Sequence, residues 1–88
     1  MFDNVIETLE IARDSVADHD HDKAFEAITI LLMQMMDLFG HDVDFMGKMF
    51  PILENAKKHI QAEEYEDAHI IILSLLIRFR EANDIEPE

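Results

Sequence analysis

The sequence has no cysteine and no tryptophan, two glycines, two prolines, and only seven basic residues against twenty acidic ones. Each shortage excludes something. Without cysteine there is no disulfide and no thiolate metal site. Gly40 and Gly47 alone cannot make a glycine-rich phosphate loop. So few cations argue against direct binding of nucleic acid, whose phosphates must be neutralised, and against anionic membranes. The longest apolar runs, such as Ile70 to Leu73, are far too short to cross a bilayer. The opening Met-Phe-Asp-Asn has neither the basic nor the apolar part of a secretory signal, so a cytoplasmic, soluble protein is expected.

What is present is acid and apolar surface. The net charge is −13 and 49% of the 88 residues are hydrophobic. Residues 1–44 carry the larger share of the acidic excess. A protein this acidic is suited to a basic protein surface. A chain of this length forms one domain that buries roughly 60–65% of its unfolded surface, which leaves a monomer marginal.

The periodicity predicts an all-α fold of four helices. Phe2, Val5, Ile6, Leu9, Ala12 and Val16 follow the 3–4 spacing of one buried stripe, with Asp3 as the expected N-cap. The run Asp18–Asp22 (DHDHD) breaks it with poor helix formers. A second helix is expected from Lys23, capped by Asp22, to Phe39, with Gly40 as a left-handed terminator. Residues 40–50 read as a connecting segment. A third helix is expected from Pro51 to Gln61 and a fourth from about Glu64 to Ala82. One long helix is the alternative for this half. It would bury Glu63, Glu64 and Asp67, whereas the apolar stripe resumes at Tyr65, Ala68 and Ile72, a shift that a turn explains.

The two halves repeat. A shift of 44 residues lays Leu9 on Leu53, Ala12 on Ala56, Val16 on Ile60, Ala24 on Ala68, Ile28 on Ile72 and Leu31 on Leu75. The expected architecture is thus a four-helix bundle of two antiparallel hairpins, 2–39 and 51–82. Ala56, Tyr65, Ala68, Ile72 and Leu75 sit at spacings that resemble a tetratricopeptide-type helical hairpin, best over residues 53–76. The first-helix aromatic and glycine, the turn glycine and the 34-residue period of that family are missing. The resemblance implies a protein-binding scaffold.

The helices are more apolar than a bundle of this size requires. From Ala24 to Phe39 only Glu26, Thr29, Gln34 and Asp37 are polar, and from Ala68 to Phe79 only His69, Ser74 and Arg78. A surface helix needs an apolar stripe somewhat over 100° wide. The surplus predicts a homodimer with an interface built from the second and fourth helices. Methionine concentrates here too, with Met33, Met35, Met36, Met46 and Met49 between Leu31 and Phe50. Met33, Met36, Val43, Phe45, Met46, Met49 and Phe50 are the expected apolar contact to a partner or second copy, the alternative being a lid over the bundle end.

Asp3, Glu7, Glu10, Asp14 and Asp18 recur every three or four residues and form one ridge of carboxylates on the first helix. Their separation, about 5–6 Å at 1.5 Å rise per residue, is close to that of backbone phosphates. The ridge either solubilises an apolar protein or docks onto a basic partner.

Catalytic and metal constellations are thin. Glu66 and His69 form Glu-x-x-His, as in di-iron bundles, but a second pair is missing, since Asp18/His21 falls in a turn. His19 and His21 lie among aspartates without fixed geometry, and His41 and His59 have no evident partners. Ser15, Ser74, Thr8 and Thr29 lie within helices, outside any nucleophile motif. No enzyme, metal or cofactor is expected. The sequence points to a non-enzymatic interaction module for a basic protein, of inhibitor, immunity, antitoxin or chaperone type. The alternatives are a nucleic-acid mimic, such as a phage-encoded antagonist of a DNA- or RNA-binding host system, and, less well supported, a metal-binding helical bundle.

Overall fold

The computed structural model describes residues 2–85: α1 (Asp3–Ala17), α2 (His21–Phe39), α3 (Val43–Gln61) and α4 (Tyr65–Ile85), with no strand among the described residues. No helix is long and apolar enough to cross a membrane. α1 and α3 each pack against both α2 and α4. Phe2 before α1, Phe39 at the end of α2, Phe45 at the start of α3 and Phe79 late in α4 meet ring to ring at one end, with centroids 4.3–5.9 Å apart. The Phe2 N–H also donates to Asn83 Oδ1 at 3.2 Å, tying the first helix to the last.

The expected stripes are the core. Val5, Leu9, Ala12 and Val16 of α1 share one buried cluster with Leu53, Ala56 and Ile60 of α3 and with Ala24, Ile28, Leu31, Ala68, Ile72 and Leu75 of α2 and α4. Each fully buried Leu or Ile stabilises the fold by about 1.5–3 kcal/mol. Eight buried pairs, from Val5/Met49 to Met35/Phe79, obey the 44-residue shift. The four alanines of the repeat have no exposed surface, so the helix backbones approach closely there. Buried Thr8 and Ser15 donate to the carbonyls of Asn4 and Ile11, which satisfies their hydroxyls within α1.

The turns obey the shift as well. After α1, the Asp20 N–H donates to Ser15 O and the His19 N–H to Val16 O; after α3, the Glu64 N–H donates to His59 O and the Glu63 N–H to Ile60 O. Both are Schellman terminations, which satisfy the last carbonyls of a helix. The break at 62–64 is thus a turn, not a continuation.

Three local expectations are corrected. The segment 40–50 is not a connector, because α3 starts at Val43 and leaves only residues 40–42 between helices. Asp42 starts it, its carboxylate accepting the Phe45 N–H at 3.0 Å. Pro51 therefore lies inside α3, on its exposed side, where the bond lost to the Gly47 carbonyl opens to water. Gly40 is right-handed (φ −58°), and the left-handed residues are His19 and Glu63. Capping moves too. Asp20, not Asp22, caps α2 by accepting the Lys23 N–H, and Asp3 lies in the first turn of α1 behind Phe2.

Candidate interaction surfaces

Helical geometry puts the acidic ridge about 170° around α1 from the buried stripe Val5–Leu9–Ala12–Val16. Asp3, Glu7, Asp14 and Asp18 are exposed and Glu10 half-exposed. Three of the five have partners. Glu10 Oε2 accepts from Arg80 Nη2 of α4 at 2.7 Å, Asp14 Oδ1 from Arg13 Nε at 3.0 Å, and Asp3 Oδ1 from Asn83 Nδ2 at 3.3 Å. The Asp14 hydrogen bond raises the pKa of Arg13 from its ordinary value against partial desolvation, with added attraction from Asp14 and Glu10. Glu7 and Asp18 have no ion-pair partner among the described residues.

The C-terminal half of the ridge is unfavourably placed for α1. Its last turn holds no base, while Asp14 and the C-cap Asp18 sit at the negative end of the helix dipole. The ridge also stands outside the repeat. The 44-residue shift takes Asp3, Glu7, Asp14 and Asp18 to Gly47, Pro51, Lys58 and Ala62, and only Glu10 finds an acid, Glu54. The core is duplicated and the ridge is not.

The seven apolar contact residues divide into two groups. Met49 is buried, and Phe45 and Met46 pack against the core from the first turns of α3. These three belong to the protein's own interior. Met33, Met36, Val43 and Phe50 are exposed, Met33 by 62%, Met36 by 58% and Val43 by 80%. Two rungs set the register of α2 against α3: Lys57 Nζ lies 5.0 Å from the Phe25 ring centre, and the tilted rings of Phe39 and Phe45 meet with centroids 4.3 Å apart. By helical geometry Met33 on α2 falls level with Phe50 on α3 between those rungs, while Met36 lies a turn nearer the Phe39–Phe45 rung and Val43 just beyond it, all toward the outer edge of one seam.

Ile70 and Ile77 on α4 are also exposed, by 64% and 54%. Because α2 and α4 are both flanked by α1 and α3, their outer faces look away from each other.

At the end opposite the phenylalanine cluster, the two turns meet. His19 stacks on Tyr65 with centroids 4.5 Å apart, and the tyrosine pKa is raised, first by burial and then by Glu63, Asp20 and Asp22. Glu66 and His69 line a shallow cleft beside this stack. They do not form a three-ligand group; among the described residues the one such group is His59, Glu64 and Asp67. His59 Nδ1 lies 2.9 Å from Glu64 Oε1 and 4.0 Å from Asp67 Oδ2. From the sequence alone His59 has no evident partner. Spacings of five and eight residues bring side chains together only when a tight turn lies between them, and placing that turn at 62–64 is the signal that finds them.

No family model, curated protein or solved structure matches this chain significantly.

Proposed function

We propose that this protein is a non-enzymatic interaction module, a four-helix bundle of two antiparallel hairpins that binds a basic partner protein through the carboxylates of α1. The observation that carries the reading is the asymmetry of the repeat. Two halves that share eight buried pairs and the same turn differ in that one of them alone carries the ridge. A ridge needed only to solubilise the scaffold would serve equally on α3. Its carboxylates repel one another, and Asp14 and Asp18 also oppose the α1 dipole, a standing cost that a cationic partner would relieve.

The test is charge reversal. Glu7→Lys, Asp14→Lys and Asp18→Lys together leave the core untouched and abolish capture of the partner from a native lysate. Retained capture by the folded triple variant sinks the proposal. Competition by polynucleotide, together with steep weakening at high salt, identifies the partner as a nucleic-acid-binding protein and the ridge as its decoy.

A homodimer is a second reading, favoured at α4. Ile70 and Ile77 lie one heptad apart on a stretch of α4 that carries Arg78 and Arg80 and no acid between Ile70 and Arg80, so a second copy would meet less like charge there than along α1. Light scattering of wild type against Ile70→Gln/Ile77→Gln tests it.

A further inference from the structure

We infer that the α2–α3 seam is a docking groove for a basic amphipathic helix of another protein, anchored on Met33, Met36, Val43 and Phe50. The inference rests on the proposal that the protein binds basic partners, and gives that partner its shape and a second site of contact. The four anchors come from two adjacent helices and lie on one side of the protein. An amphipathic helix laid along such a seam inserts apolar side chains at every third or fourth position. Two of the anchors are methionines, whose unbranched, polarizable side chains adapt to such a guest.

Charge decides the occupant. Asp37, Asp42 and Asp44 border the anchors and are exposed, with no ion-pair partner among the described residues. Between residues 33 and 50, Lys48 is the one lysine or arginine against them. Asp42 serves as a cap and Asp44 lies in a first helical turn, where acids are favoured, but Asp37 stands in the last turn of α2, where the helix dipole disfavours it. A second copy is a poor occupant. In a two-fold interface the patch faces itself, so these aspartates would oppose their own copies between two chains of charge −13 each. A helix with lysines or arginines flanking an apolar stripe pairs with the border and covers the anchors together.

The experiment uses the whole chain and two synthetic peptides. One is a short amphipathic helix of leucine and lysine; the other has the same lysines with serine in place of leucine. Backbone amide shifts locate each, and calorimetry gives the affinity. The leucine–lysine peptide should perturb α2 and α3 around the four anchors. Met33→Gln/Val43→Gln, at two highly exposed positions, should weaken it about tenfold, while Ile70→Gln/Ile77→Gln on α4 leaves it unchanged. Equal weakening by the two pairs, or shifts that avoid the α2–α3 seam, overturns the inference. So does a free protein that is dimeric at micromolar concentration and becomes monomeric on Met33→Gln/Val43→Gln, because a second copy then covers the seam. The lysine–serine peptide reads the α1 ridge separately. Shifts on α1 from that peptide, with the seam silent to the leucine–lysine peptide, defeat the groove and spare the ridge; seam shifts from the leucine–lysine peptide, with α1 silent to both, do the opposite.

Discussion

His19 and Glu63 stand 44 residues apart and hold the same left-handed backbone conformation, φ 56° and φ 59°, each just past the end of a helix in the same hydrogen-bonded turn. A side chain at such a position costs roughly 1–2 kcal/mol relative to glycine. Glu63 is exposed and its substitution loses little else, so Glu63→Gly should stabilise the protein by about 1 kcal/mol, raising Tm by about 4–8 °C. His19→Gly should gain less, because it also removes the stack on Tyr65. Thermal unfolding of the two variants side by side checks the ordering.

The two glycines should respond in opposite directions to alanine. A Cβ at Gly40 would lie 2.4 Å from the Met36 carbonyl oxygen, a backbone atom that cannot move aside, whereas one at Gly47 meets nothing within 4 Å. Gly47 lies on the exposed side of α3, where glycine costs a helix about 0.5–1 kcal/mol relative to alanine. Gly47→Ala should therefore stabilise by about that amount and Gly40→Ala destabilise by about 1–3 kcal/mol. Urea denaturation midpoints with unchanged slopes are the readout.

The legible parts of this protein were those written in a repeating period. The stripe Val5–Leu9–Ala12–Val16 and its copy one repeat later announce buried helix faces, and the shift of register after Ile60 announces the turn at 62–64. The first two turns of α3 were not legible. Pro51 reads as the start of a helix, and Gly47 with two aspartates and a lysine around Phe45 and Met46 reads as a loop. The signal that outranks them is Asp42 as a cap followed by Phe45, Met46 and Met49 on one inner face. For the same reason the seven apolar candidates could not be divided in advance, since a helix must be recognised before its inner and outer faces exist. The carboxylates of the ridge lie on the outer side of α1, as their spacing implies, but the tether from Glu10 to Arg80 joins residues seventy positions apart, and no local pattern reports that contact.

Tyr65 is the sole tyrosine, so its phenolate absorbance reports one site. Burial, and then the carboxylates of Glu63, Asp20 and Asp22, hold its pKa above the ordinary value of 10.0. The folded protein thus keeps this proton more tightly than the unfolded chain does. The resulting stability is present in full below the unfolded pKa and is lost as pH rises through the folded one. An absorbance titration should find a midpoint above that of a free tyrosine. Because burial is the leading cause and the carboxylates only add to it, salt should lower the midpoint in part and not erase the shift. Tyr65→Phe should flatten the fall in stability at alkaline pH.

The ion pair between Glu10 and Arg80 sets the two roles of the ridge against each other. With both side chains close to half-exposed, its contribution to stability should stay below about 1 kcal/mol, despite the 2.7 Å contact. Its effect on the field of the ridge is larger in kind, because Arg80 is the one cation brought to the ridge from another helix among the described ion pairs. Arg80→Gln should therefore cost little in Tm, while a lysine-rich probe bound at α1 tightens by up to about fivefold and its affinity falls more steeply with salt, a unit charge at contact in water being worth about 1 kcal/mol. An affinity unchanged or weakened by Arg80→Gln would mean that the probe does not sit on the carboxylates of α1. Glu10→Gln in the same chain completes a double-mutant cycle, and the coupling it measures separates the loss of the tether from the gain in field.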